Sequence, residues 1–297
     1  MRRGLLVIAL VGTWLIHTPA QAAEQRTVTY GPWTVPAGTM EMPGMVDKIK
    51  LAVKRPCWDC YITGFKANLR YANGSTANHH TGIMLHHVVL ANQWRSDATC
   101  SGTWLGLAGE RFFASGNERT PISFPADYGY RVRWYDSWNM LLQFMNTEPI
   151  SQEIYLDITY SVTGASKKPL KPVWLDIDNC NDSEYPIQAG PSEATRDWSV
   201  NVEGHLVSMA GHLHDHGTQI EARNETTGQI LCTSAAGYGN VEEYMGHLSS
   251  MGTCQGTPIA ALDSGNLVRI YAGYNAPEPM NNVMGIMLGY IHRTSVG

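Results

Sequence analysis

The chain is poor in charge: only 16% of its 297 residues are Asp, Glu, Lys or Arg, and the formal net charge is −5. No long basic run occurs, which argues against nucleic acid or an anionic membrane as a partner. Long apolar runs are also scarce. The one candidate, Leu5 to Ile16, falls short of the ~20 residues that a bilayer span needs. It follows Arg2 and Arg3 and precedes Ala20-Gln21-Ala22, a small-residue cleavage pattern, so residues 1–22 read as a secretory signal peptide. The expectation is an exported chain, periplasmic or secreted, starting near Ala23 and making no membrane contact after cleavage. Sustained apolar periodicity of 3.6 residues is hard to find, which disfavours a helical fold. A second Cys-x-x-Cys is missing, and no thioredoxin-like βαβ pattern surrounds Cys57-x-x-Cys60. The six cysteines (Cys57, Cys60, Cys100, Cys180, Cys232 and Cys254) therefore read as structural disulfides rather than as a redox or zinc motif.

Strand signals fill the space that helices leave. Alternating or β-branched runs recur at Trp33 to Val35, Lys48 to Val53, Cys60 to Leu69, Ile83 to Leu90, Tyr130 to Trp134, Met140 to Met145 and Glu153 to Val162. They resume at Trp198 to Ala210, Gln219 to Arg223, Leu267 to Tyr274 and Gly285 to His292. Turn pairs such as Asn73-Gly74 and Thr227-Gly228 punctuate them. Many short strands spaced this way predict an all-β fold of antiparallel sandwiches or barrels. One short helix is expected near Val241 to Leu248. The polar, proline-broken stretch Gly164 to Pro172 reads as a linker between domains spanning 27–165 and 172–297. The acidic segment Asp176 to Pro191 reads as a loop tied down by Cys180.

The 11 histidines cluster. In Gly211-His-Leu-His-Asp-His-Gly217, side chains at i and i+2 of a strand share a face, so His212 and His214 present two imidazoles side by side. That is a good chelate for zinc, copper or iron. His216 joins them only if the strand continues, and Asp215 could orient a histidine as an acceptor. His86 and His87 are adjacent, so one metal can take both only where the strand is twisted or bulged. Their flanks, Ile83-Met-Leu85 and Val88-Val-Leu90, predict a buried strand, in which imidazoles need either a metal or ordinary hydrogen bonds. Met280 and Met284 precede the last apolar run. A thioether there selects copper(I), and plain core packing is the alternative. His205, just upstream, could support the site. His247 and His292 read as ordinary core or surface residues.

Taken in order, these residues resemble the copper type II, ascorbate-dependent monooxygenases, which include peptidylglycine α-hydroxylating monooxygenase and dopamine β-monooxygenase. His86-His87-Val-Val-Leu resembles the strand that supplies two ligands of the electron-transfer copper. His212-Leu-His214 resembles the strand that holds the oxygen-activating copper, and Met284 matches the methionine that completes that site. Gly265-Asn-Leu-Val-Arg-Ile-Tyr271 is similar to the penultimate strand. The resemblance covers most of the chain after the signal. It implies two tandem antiparallel, jelly-roll-like β-sandwiches, one copper on each, facing across a solvent-filled cleft. It also implies catalysis: His212, His214 and Met284 serve O2 activation, an external reductant such as ascorbate supplies electrons, and a small-molecule C–H bond becomes C–OH. By analogy Cys60 would pair with Cys100, Cys57 with Cys180, and Cys232 with Cys254.

Two departures matter. The family's third histidine at the electron-transfer copper aligns with Met145, so a methionine replaces it, His79 or His80 swings in, or that first site is empty. The residues that grip a peptide carboxylate in the amidating members are replaced by Ala210, Ile286 and Leu288, which points to a less charged substrate. A non-catalytic exported copper-binding or copper-trafficking protein is the main rival. A zinc hydrolase is disfavoured, because His-Leu-His-Asp-His is one residue short of the metallo-β-lactamase signature. A carbohydrate-binding sandwich has only the nine tryptophans in its favour. Copper-loaded protein should leave a glycine-extended peptide unhydroxylated with ascorbate and O2; product detected by mass spectrometry would contradict the loss of the carboxylate anchors.

Overall fold

A computed structural model describes residues 23–294 except 101–102, 105–106, 181, 240–243 and 245. The chain is all-β, and its sheets are antiparallel apart from one short parallel pairing of Lys168–Pro169 with Tyr128–Gly129. Among the described residues a short 3-10 turn, His79–Thr81, capped by Asn78, interrupts the strands. No helix among the described residues is long and apolar enough to cross a membrane. The signal peptide expected over residues 1–22 lies outside the described residues, as do 241–243 and 245 of the helix expected near Val241 to Leu248; of the rest, Tyr244 is in 3-10 conformation, Gly246 and His247 form a turn and bend, and Leu248 opens the strand Leu248–Met251.

Residues 24–169 build a two-stranded ribbon of Thr103–Trp104 with Leu107–Ala108, and two large sheets. One orders Glu24–Val35, Gln152–Thr163, Cys60–Tyr71, Tyr128–Val132 and Lys168–Pro169. The other orders Gly44–Val53, Trp138–Asn146, Ile83–Asn92 and Glu110–Ser115. Alternation drives their stacking: Ile154, Leu156, Ile158, Tyr160 and Val162 all bury on one face of their strand, as a period of two requires. Residues 171–293 build two more sheets. One orders Lys171–Asp176, Met280–Arg293, Gly204–Leu213 and Thr253–Leu262; the other orders Gly190–Ser199, Leu267–Ala276, Gly217–Asn224, Gln229–Tyr238 and Leu248–Met251. The run expected from Trp198 to Ala210 is thus two strands, broken at 200–203.

The sheet that carries Gly204–Leu213 and Met280–Arg293 is apolar on both faces. Leu206, Met209, Leu213, Met287 and Ile291 join the core of the second pair of sheets. Val207, Ala210, Met284, Ile286, Leu288 and Tyr290 join the core of the first. Strands buried on both faces read as continuous apolar runs rather than as alternation, and Gly285-Ile-Met-Leu-Gly-Tyr-Ile is such a run. The two halves therefore share a packed boundary here, not the solvent-filled cleft that the resemblance implies. Polar ties fasten it. Tyr290 Oη donates to the Phe112 carbonyl (2.9 Å), Ser208 Oγ donates to the Ser123 carbonyl (3.2 Å), and the Met251 amide donates to Thr120 Oγ1 (3.0 Å).

Three disulfides form: Cys57–Cys60, Cys100–Cys180 and Cys232–Cys254. The last matches expectation. The pairings expected for the other four do not form, because Cys57 and Cys60 meet across a tight turn with Cα atoms 6.2 Å apart, while Cys100 and Cys180 meet at 5.6 Å. Cys100–Cys180 closes a separation of 80 residues and staples the two halves; loop-closure entropy makes such a bridge worth about 4 kcal/mol. Beside it, the segment expected to be one acidic loop is partly ordered, with Glu184–Ile187 pairing to the last strand.

Asp176 is buried where this segment begins. It accepts from Trp174 Nε1 (3.2 Å), from the Asp178 amide (3.0 Å) and from Ser183 Oγ. Burial dominates, and its carboxyl is pushed up to about 6. A raised carboxyl binds its proton more tightly in the fold, so stability is fullest below the unfolded value and falls as pH rises from about 4 to about 6, by on the order of 3 kcal/mol. Asp176→Asn should flatten that part of the curve of thermal midpoint against pH; parallel curves for the variant and the parent would refute this.

Candidate metal centre

His86 and His87 reach one site because their strand bulges. Along the pairing of Trp138–Asn146 with Ile83–Asn92, Gln143 faces His87 and Phe144 faces Leu85, so His86 is the extra residue. A bulge turns two consecutive side chains toward one side. His86 Nδ1 then lies 3.0 Å from His87 Nδ1 and 2.5 Å from Gln143 Oε1.

His212 and His214 come from the other half. On their strand Ser208 bonds to the first half, and Ala210 and His212 follow at intervals of two, so all face that way. Gly211 and Gly285 point oppositely, where a Cβ would stand 2.4 Å from Ile220 and 2.7 Å from Ala272. The strand ends at Leu213. His214 continues toward the site because the Tyr274 hydroxyl accepts from its amide (2.9 Å) and donates to the Met284 carbonyl (2.5 Å). Tyr274 thus ties together the backbones of two expected ligands.

The two pairs converge. His87 Nε2 is 3.2 Å from His214 Nε2, and the ring centroids of His87 and His212 are 5.5 Å apart. One ligand atom each from His86, His87 and His214 lies within 4.8 Å of the others. Burial holds all three imidazoles below their ordinary value, well below for His87 and His214, and neighbouring imidazoles push the same way. They are therefore neutral and offer lone pairs. His214 Nδ1 donates to the Asn282 carbonyl (2.7 Å), which leaves Nε2 as its acceptor. His212 Nδ1 lies 3.1 Å from Glu118 Oε1, and its buried Nε2 has no hydrogen-bond partner. An orphaned buried nitrogen is costly. Imidazole nitrogens facing one another at 3.0–3.2 Å, beside that orphan, are a donor set that a metal ion satisfies.

Met284 is buried and shares a cavity with His87 and His212. It is placed to add a thioether. Met145 lies one row beyond the imidazoles, opposite Met84, and lines a cavity with His86 and His214; the residue touching His86 is Gln143. Neither His79 nor His80 joins the centre. His79 packs against His247 with ring centroids 3.5 Å apart and planes tilted by 53°, and His80 is exposed. Asp215 does orient a histidine, but it is His247, through Nδ1 at 2.5 Å. His216 is exposed. His205 pairs with His292, seven residues back along the strand from His212 and so roughly 23 Å away.

Sequence reasoning missed Gln143, Glu118, Tyr274 and Gly116. Gln143 was within reach, since it shares a face with Met145. Glu118 is buried in the turn after Glu110–Ser115; burial raises its carboxyl, but His212 and the backbone amides of Glu118 and Gly116 together more than offset this and hold it below its ordinary value. Gly116 lets that turn approach, because a Cβ there would stand 2.6 Å from the His212 ring.

Two curated relatives share one description. The chain is 30% identical to probable copper-dependent oxygenase M1 of Phoma sp., over 92% of its own length and 73% of the relative's. The chain belongs to this copper-dependent oxygenase family. It is also 29% identical to probable copper-dependent oxygenase clz3 of Cochliobolus lunatus, over 76% of this chain and 77% of that one. No protein-family model matches. Among solved structures, PNGF-II aligns with a TM-score of 0.41 and 9% identity over 90% of this chain and 66% of that one. The major capsid protein P2 of bacteriophage PM2 aligns at 0.34 and 10% over 92% and 99%. Both are too loose to carry an argument.

In this oxygenase chain Glu118 is the carboxylate that fixes the tautomer of His212. Replacing such a partner costs about 10–100-fold in metal affinity. Glu118→Ala should show that loss in chelator competition, and Glu118→Gln, which keeps an acceptor, should show less; unchanged affinity in Glu118→Ala would exclude the role.

Proposed function

We infer that the chain is a copper-dependent monooxygenase that hydroxylates a C–H bond of a small, largely apolar organic molecule. O2 gives one oxygen atom to the product and one to water, and an external reductant such as ascorbate supplies two electrons, with two protons. Copper held among the imidazoles supplies the one-electron chemistry that makes O2 reactive toward C–H bonds.

The observation that carries this reading is an apolar cavity that opens directly on the centre. Val88, Val89, Ala210, Ile286 and Leu288 line it together with His87, His212 and Met284. Ala210 pairs with Leu288, and His212 pairs with Ile286, across adjacent strands. The positions where amidating relatives of the resembled family hold a carboxylate are thus apolar walls beside a candidate ligand. They favour a hydrocarbon segment on that side of the imidazoles. Glu118 is the one carboxylate lining the cavity, and it is engaged by His212 and the Gly116 amide (3.2 Å). His214 is held through Asn282 and Tyr274. A protein that only carried copper would need no such cavity.

The test is copper counting together with O2 uptake. Copper-loaded protein should consume O2 with ascorbate only when an apolar C–H substrate is present. His212→Ala should lose bound copper and at least about 100-fold of the uptake, as expected when a group central to the chemistry is removed. Full copper loading without substrate-dependent uptake, across a panel of apolar substrates, would favour the copper-carrier reading.

A further inference from the structure

We propose that Met45, Met84 and Met145, with Met280, form a second metal site, a thioether site for a monovalent copper ion on its way to the imidazoles. Met145 is the register partner of Met45 on one side and of Met84 on the other. Directly paired residues of antiparallel strands project from the same face, with Cβ atoms about 4.5–5.5 Å apart. The three side chains therefore form one row across the sheet. Met280 reaches the row from the second half, since Met84, Met145 and Met280 line a single cavity.

The row has a direction. Met45 sits on the edge strand and is 46% exposed, Met84 and Met145 are half-buried, and the cavity beyond them is also lined by His86 and His214. Met84 precedes His86 by two residues and Met145 follows Gln143 by two, so the backbone positions of the methionines stand about 7 Å along the strands from the imidazole row, on the same face. Immediately before the edge strand, Met40 and Met42 are 61% and 77% exposed. Methionine used as packing is buried. Here it grades from solvent to the centre.

Chemistry decides the occupant. Thioethers are neutral, soft ligands that select copper(I) over zinc, magnesium or calcium. The flexible methionine side chain adapts readily to a bound ion. Net negative charge borders the neighbouring approach, where Asp47, Asp182 and Glu184, against the single cation Lys48, line a cavity that reaches His87 and Met284. That charge raises the local concentration of cations.

The delivery role rests on copper being the metal of the imidazole centre; the binding of a monovalent ion does not. The experiment uses the full chain, titrated without oxygen with copper(I) and, as a redox-inert probe, silver(I), against a competing chelator, and read by X-ray absorption. With His87→Ala and His214→Ala combined, one ion should remain, with sulfur neighbours. Met84→Leu combined with Met145→Leu, which nearly conserves volume, should weaken that ion at least tenfold while copper(II) binding at the imidazoles persists. Met45→Leu, at the exposed edge, should weaken it less and serves if the double variant fails to fold. Loss of the ion with the histidines, nitrogen-only neighbours, or equal affinity in both methionine variants would overturn the site. Missing copper(II) binding in the parent would instead count against the imidazole centre.

Discussion

The centre depends on keeping the half-buried imidazoles of His86, His87 and His214 neutral with their nitrogens turned on one another. Such an arrangement is unfavourable by itself: His87 and His214 face each other through Nε2 at 3.2 Å, and His212 keeps an unpartnered Nε2. It persists because the surrounding fold over-determines it. The central sheet is packed on both faces. Cys100–Cys180 staples the halves, and Asp97 anchors the adjoining loop by accepting from the Thr99 and Cys100 amides and from Arg111 Nε at 2.8 Å. A metal ion turns the same arrangement from a cost into a gain, since metal binding free energy is realised only in a fold that presents the ligands.

Small local devices aim the four rings. A single extra residue in the Ile83–Asn92 strand turns His86 to the side of His87. A glycine at 116 admits the turn that carries Glu118. One tyrosine hydroxyl spans the backbones of His214 and Met284. Each lies on a strand or a tight turn, where geometry is stiffer than on a long loop. The apolar cavity follows from the same two-faced sheet: the face that presents His212 also presents Ala210, Ile286 and Leu288. Ligand placement and the apolar character of the cavity are therefore one consequence of strand alternation.

Much of this was legible in the residues. Alternation predicts the strands around His86 and Glu153 and the shared face of His212 and His214, and adjacency shows that His86 and His87 need a bulge to act together. Tertiary facts were not. The strand Gly190–Ser199 hides behind polar exposed positions, and Glu110–Ser115 behind Arg and Glu that are buried through ion pairing. Disulfide partners depend on which loops meet, which analogy placed correctly only for Cys232–Cys254. Glu118, Tyr274 and Gln143 act through contacts 94, 60 and 57 residues distant in sequence, beyond any local pattern. The expected separation of two coppers came from resemblance; among the described residues His86, His87 and His214 instead meet where the halves pack together.

The most direct measurement is anomalous diffraction at the copper edge from crystals of the copper(II)-loaded protein. A metal peak bounded by imidazoles from both halves, with His87 and His214 among its neighbours, is the expected result. Two peaks, one at His86 and His87 and another at His212 and His214, parted by solvent, would contradict the shared centre.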